Sequence, residues 1–171
     1  MKEHLTRLLH FNVWSNETLL NALDREHPAW FTPIESSFKG IQATWLHIWD
    51  AENIWFKRLM GESIQDFPSK GFAGSVEDLV DGLIQQSKEW YFHVEESPVS
   101  IHTKIVKYKN LSGLEYESSY KDIITHVTNH SSYHRGQIVT MLRQAGISEI
   151  PSTDFIHYLR QISKRKAEIK D

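Results

Sequence analysis

Tyr120 to Gln144 reads YKDIITHVTNHSSYHRGQIVTMLRQ, and this stretch decides the fold. Ile123, Val127, Ile138 and Met141 recur at helical steps, and His126, His130 and His134 stand four residues apart among them. Residues four apart are neighbours on one helical face, so pairs of these imidazoles can meet one ion. With His130 at 0° and about 100° per residue, His134 falls near 40° and His126 near −40°. The apolar stripe is centred near 50° on the same count, which places His130 and His134 inside it and His126 at its edge. The segment therefore predicts a long amphipathic helix with two inward histidines, stopped by Ala145-Gly146.

The rest of the chain supplies helices for it to pack against. Leu5, Leu8, Leu9, Leu19, Leu20 and Leu23 give a first helix from about Glu3 to Leu23, interrupted by Pro28 and Pro33. A second is expected from near Glu35 to Met60, with Gly61 as its stop. Glu62 to Gly74 reads as a loop. Ser75 followed by Asp78 resembles a capping box and opens a third helix, Val76 to about Glu95, ahead of Pro98. Between Ile101 and Ser118 the pattern changes to alternation about Ser112-Gly113, a short β-hairpin with a glycine turn. After Pro151, Asp154 or Thr153 caps a fifth, short helix. The fold class expected is all-α: an antiparallel four-helix bundle, a short β-hairpin before the fourth long helix, and a small C-terminal helix, in one domain over 1–171.

Composition narrows the functions open to such a bundle. Of the 171 residues 40% are hydrophobic and 24% charged, ordinary values for a globular protein. The net charge of −3 gives neither nucleic acid nor anionic lipid a basic surface to bind. The basic C-terminal run (Arg160, Lys164, Arg165, Lys166, Lys170) is diluted by Glu168 and Asp171 and reads as a solvated helix end. No stretch has the eighteen or so apolar residues of a membrane span, and Met1-Lys2-Glu3-His4 opens an amphipathic pattern without a signal-peptide core. Cytoplasm is the expected location. Cysteine is absent, so a metal must be held by histidine, carboxylate or backbone oxygen, and any reacting thiol must come with a substrate or cofactor.

Two imidazoles in a bundle core need a partner for their ring nitrogens, and a metal ion is one. A third ligand is found on the second helix. With His47 at 0°, Gly40, Thr44, Ala51 and Ile54 fall within about 60° of it and form a small, mostly apolar face. His47, His130 and His134 thus make a three-histidine site for one divalent ion, the fourth position left for water or substrate. Three imidazoles suit zinc, nickel, iron or copper. His126 is expected at the rim. His4, His10, His27, His93, His102 and His157 show no convergence and read as surface or edge residues. Ser131 stands where a zinc-protease helix has its general-base glutamate, which excludes that chemistry.

Asn16, Asn129, Tyr133, Arg135 and Gln137 are the polar side chains nearest this stretch. Tyr133 and Arg135 point toward the edge or outside of the helix, while Gln137 points inward and can orient a ligand histidine. The second helix carries Trp45, Trp49 and Phe56 opposite His47, where a bundle helix is normally polar. They pack under the loop from Glu62 to Gly74, or they form the interface of a homodimer.

The segment His126-Val-Thr-Asn-His-Ser-Ser-Tyr-His-Arg-Gly-Gln137 closely resembles the signature helix of the DinB (damage-inducible) superfamily of metal-binding bundles. Phe11-Asn12-Val13-Trp14-Ser15-Asn16 resembles the family's Tyr-Asn-x-Trp-Ala-Asn opening, with Phe11 in place of tyrosine. Trp45-Leu46-His47-Ile48 is similar to its helix-two ligand segment, Tyr108 to Gly113 with Tyr116 to its hairpin, and Asp154-Phe155-Ile156 with Tyr158-Leu159 to its C-terminal element. The resemblance implies a four-helix bundle, zinc or nickel on the positions of His47, His130 and His134, and often a homodimer. Some relatives carry out thiol-dependent chemistry, among them bacillithiol S-transferases and mycothiol-dependent maleylpyruvate isomerases. The function expected is transfer of a low-molecular-weight thiol to a small electrophile. A metal-stabilised bundle acting in stress response through protein contacts and a metal-dependent hydrolase are the alternatives.

Overall fold

A computed structural model describes residues 1–62 and 66–168, with side chains up to Lys164. The basic side chains Arg165, Lys166 and Lys170 and the acidic Glu168 and Asp171 of the tail lie outside that description, as do residues 63–65 of the expected loop. Four long helices form: α1 (Lys2–Leu20), α2 (Ile41–Leu59), α3 (Val76–Glu96) and α4 (Tyr120–Gln144). A two-stranded antiparallel hairpin, β1 (Ile105–Lys109) and β2 (Glu115–Ser119), precedes α4, and α5 (Phe155–Glu168) follows it.

Local chemistry sets these boundaries. At α3 the Ser75 hydroxyl accepts from Asp78 N–H at 3.1 Å while the Asp78 carboxylate accepts from Ser75 N–H at 2.7 Å, the full capping box. Ser119 caps α4, its hydroxyl accepting from Asp122 N–H at 3.3 Å. In the hairpin turn the Asn110 side chain accepts from Ser112 and Leu114 N–H, and Gly113 takes the positive φ of 84°. The second helix starts later than its periodicity predicts. Gly40 has φ 113°, and a Cβ there would come within 2.8 Å of the Thr32 carbonyl oxygen. That close corner keeps Glu35 to Lys39 out of the helix.

α1 and α2 each pack on both α3 and α4, so α1 lies diagonal to α2. The core falls into two apolar clusters. One joins Leu19 and Leu20 of α1 to Ile41, Trp45 and Ile48 of α2, Leu79 and Leu83 of α3, and Ile138 and Met141 of α4. The other joins Leu5, Leu59, Trp90, Ile123 and Val127. Each cluster takes low-numbered residues of α1 and α4 with high-numbered ones of α2 and α3, or the reverse. Hence α1 and α4 run one way and α2 and α3 the other, with antiparallel contacts between α1 and α3 and between α2 and α4. Two consecutive helices pointing the same way need a crossover of full bundle length, which Met60 to Ser75 provides. Its far part is tied to α2, where Ser69 N–H donates to Asp50 at 2.8 Å and Phe72 meets Trp49 edge to face.

Between the two clusters lies a polar layer built from all four helices. Glu52 is fully buried: its Oε1 accepts from Asn12 and Asn16 side-chain amides at 2.8 and 3.2 Å, its Oε2 from Ser87 at 2.7 Å. Arg135, also buried, donates from Nη1 to the Oδ1 atoms of both asparagines at 2.7 Å. The two asparagines therefore bridge a carboxylate to a guanidinium. Arg135 was expected at the edge or outside of α4; the buried stripe of that helix extends further round than its apolar residues alone indicate.

The aromatic residues of α2 pack on α3, with Trp49 also under the loop that carries Phe72. Trp45 is 1% exposed, inside the first cluster, Trp49 lies against Gly82 of α3, and Phe56 packs edge to face on Trp90. Ile41, Trp45, Ile48 and Glu52 centre the buried face of α2 about 120° from His47. These aromatics fill the seam with α3, and Trp49 also meets Phe72 of the connecting loop. Among the described residues no helix is long and apolar enough to cross a membrane.

Two stability outcomes follow from this packing. Arg135→Ala leaves Glu52 buried without its counter-charge, and a loss of about 3–5 kcal/mol is expected in urea denaturation. Gly82→Ala places a methyl group into the Trp49 ring and is expected to cost roughly 1–3 kcal/mol in the same measurement.

Candidate metal site

The antiparallel packing of α2 on α4 brings the flank of α2 that carries His47 against the His130 and His134 edge of α4. His47 Nε2 and His130 Nε2 are 3.1 Å apart, and the ring centroids of His134 lie 4.7 Å from His47 and 4.5 Å from His130. One nitrogen from each of the three lies within 4.8 Å of the other two. His134 is buried, while His47 and His130 are half-buried at the helix seam.

The surroundings fix the rings. His134 Nδ1 is 2.8 Å from Gln137 Oε1, so Nδ1 carries the proton and Nε2 is left as a lone pair. Gln137 in turn donates to Ser37 at 2.8 Å. Phe38 stacks on His47 with centroids 4.1 Å apart and meets His134 edge to face. Tyr133, 63% exposed, sets its ring 4.9 Å from His134 at the mouth.

Burial holds all three histidines neutral. Desolvation, with the charge of His134 second, pushes His47 down to about 4; desolvation and then His134, His47 and His126 push His130 down to about 3. His134 is lowered by burial and partly restored by Gln137. Neutral imidazole is the form that ligates metal.

The residues fit a divalent ion. Metal–nitrogen bonds of 2.0–2.1 Å in a tetrahedron separate the nitrogens by about 3.3 Å, which the His47–His130 pair already matches. The third nitrogen needs only a side-chain adjustment. His130 Nδ1 is buried without a protein partner, so His130 is not otherwise satisfied at both nitrogens.

The other candidates sort clearly. His126 is exposed, 5.7 Å from His130 by ring centroid, and outside the converging group. Gln137 orients a histidine as its inward position predicts. Asn16 and Arg135 belong to the buried polar layer, and Asn129 and Ser132 face the segment Ile150–Phe155 on another side of α4. His102 is a correction: expected at the surface, it is 3% exposed, and His93 beside it is half-buried. Glu52 and Phe38 were missed. Glu52 has a sequence signal, since it continues the stripe of Trp45 and Ile48 at helical spacing. Phe38 has none, because it precedes the helix in an irregular corner.

Comparison with known proteins extends these observations over the chain. A model of the DinB family matches residues 1–166. The chain is 27% identical over 176 residues to Protein DinB of Bacillus subtilis (strain 168), covering 98% of this chain and all of that one. Its fold is similar to the crystal structure of a DinB-like protein from Bacillus cereus ATCC 10987, with a TM-score of 0.68 at 18% identity over 88% of this chain and 95% of the other. The chain belongs to the DinB family.

Proposed function

We propose that the chain binds one divalent metal ion, zinc or nickel, through His47, His130 and His134, and transfers a low-molecular-weight thiol to a small electrophile. The observation that carries the metal reading is the convergence of three neutral imidazoles from two helices, one already oriented by Gln137. A bound divalent ion lowers the pKa of a coordinated thiol or water and so supplies a nucleophile at neutral pH.

The chain's own residues account for the rest. His47 and His130 are half-buried rather than enclosed, which supports an ion position open to solvent, as catalysis needs and a purely structural site does not. Phe38 shields one side of the site with an apolar ring, and Tyr133 lines its exposed side. With no cysteine in the protein, the sulfur comes from a cosubstrate. The hydrolase reading is weaker because both carboxylates near the middle of α2 are engaged elsewhere: Glu52 is turned into the core and held by Asn12, Asn16 and Ser87, and Asp50 accepts from Ser69 N–H. A non-enzymatic role, in which the ion only staples α2 to α4, predicts a closed site.

Plasma mass spectrometry on untagged protein tests the site: about one equivalent of metal in wild type, lost in His47→Ala and His130→Ala. Wild type that retains no ion after exposure to zinc, nickel and cobalt rules the proposal out. A loaded protein that consumes no thiol across a panel of electrophiles leaves the staple role in place of the transferase.

Metal-free protein should also lose stability in acid. His47 and His130 are held at about 4 and about 3 when folded, below the 6.5 of the free side chain. Their neutral forms cost nothing above that value; as pH falls below 6.5 the unfolded chain takes up protons that the folded one refuses. The melting temperature is expected to drop through this range, less steeply in His130→Ala. Equal slopes for the two proteins would contradict the assignment.

A further inference from the structure

Arg58 is held against two aromatic rings on the histidine-bearing flank of α2. It lies eleven residues after His47, which puts it roughly 20° from His47 on the same flank of α2. Its guanidinium carbon is 4.7 Å from the ring centroid of Trp55 and 5.1 Å from that of Tyr108, two rings that meet edge to face. Arg7, Arg25, Lys57, Lys70, Lys88 and Lys109 each pair with a carboxylate. Among the described residues no carboxylate stands within ion-pair distance of Arg58. Burial pulls its pKa down, and only Tyr108 acts the other way. Aromatic stacking uses the faces of a guanidinium and leaves the in-plane N–H edge for a planar acid. A half-buried cation without a counter-ion is in place for one that arrives.

The same side chains lead from Arg58 to the histidines. His126 meets Trp55 edge to face at 4.9 Å, and its ring lies 5.7 Å from that of His130. One wall therefore runs Arg58, Trp55, His126, His130 along the α2–α4 seam. The side chains of His47 and Arg58 lean the same way along α2, so eleven residues at 1.5 Å rise leave the guanidinium roughly 15 Å from the three-histidine group.

We propose that Arg58 is the anion-recognition residue of this site, binding the carboxylate of a ligand whose reactive end reaches His47, His130 and His134. Resting on the reading of the site given above, it narrows the thiol to one that bears an acid group about 10 Å from its sulfur, the metal–sulfur and carboxylate–guanidinium contacts taking up the remainder. Trp55 and Tyr108 hold the guanidinium in place, and His126 lines the path between the two ends.

Octanoate and octanol, which need no metal, test the anion site by calorimetric titration into metal-free protein. Octanoate is expected to bind wild type about tenfold more tightly than octanol, with the preference lost in Arg58→Gln and partly kept in Arg58→Lys. Both variants should keep the wild-type melting temperature and metal content. An octanoate with a terminal thiol is expected to gain further affinity on zinc-loaded protein, whereas mercaptopropionate, too short to span, should bind wild type and Arg58→Gln alike. No preference for the acid in wild type, or the same preference in Arg58→Gln, overturns the proposal. If the preference holds but the thiol adds nothing and no zinc is retained, the metal reading fails and the anion site stands.

Discussion

The buried pairing of Glu52 with Arg135 through Asn12 and Asn16 governs how the four helices can sit. A carboxylate and a guanidinium taken out of water cost several kcal/mol each unless their hydrogen bonds are met. Here Glu52 accepts from four side chains, Asn12, Asn16, Ser87 and Ser131, and Arg135 donates to both asparagines and to Ser132 at 2.8 Å. These partners come from α1, α2, α3 and α4 together. An apolar core tolerates a helix turned by tens of degrees, but a polar layer of this kind does not, because each rotation breaks a bond that nothing else replaces. Such layers specify one arrangement more than they add stability.

That constraint reaches the histidines directly. Arg135 follows His134 and Ser131 follows His130, and Ser131 itself lies 3.4 Å from Glu52. Once Arg135 and Ser131 point to the bundle centre, His130 and His134 are turned about 100° away, toward α2. On α2 the same logic applies: Glu52 faces the centre, so His47 faces the seam with α4. The polar layer and the metal site are thus two sides of one helical register. Phe38 then covers one side of the site from the corner before α2. It can do so because Gly40 turns the chain sharply against Thr32 and leaves the preceding residues free to lie over His47.

Much of this was legible in the sequence, and the reasons for the remainder are physical. The four-spaced histidines and the apolar stripe of α4 predict that helix and its inward pair, since period and chemistry agree there. Ser75 and Asp78 predict the start of α3 for the same reason. The rotation of α2 was misread because its small residues, Gly40, Thr44 and Ala51, were counted as the core face. The actual core face carries Trp45, Ile48 and Glu52, and a glutamate within it argues against burial in any count based on polarity. Arg135 was misjudged on the same ground. Paired buried charges are invisible until both partners are placed, and here the partners are 83 residues apart. His102, buried near Tyr120, carries no sequence signal that distinguishes it from an exposed histidine.

The course of the crossover has a consequence for the site. Because α2 and α3 run the same way, α3 packs on the side of α2 occupied by Trp45, Trp49 and Phe56, with Gly82 admitting the Trp49 ring. That contact consumes the aromatic side of α2 and leaves its other flank, from His47 to Arg58, to α4 and the hairpin. A simple up-and-down chain would reverse α3 against α2 and change which residues meet across that seam. In this topology α4 ends beside the start of α2, which sets His134 near His47, and begins beside the end of α2, which sets His126 near Trp55. The hairpin enters α4 at that same end and supplies Tyr108 to Arg58. The direction of α4 thus orders the seam, with metal ligands toward one end and an aromatic-held cation toward the other.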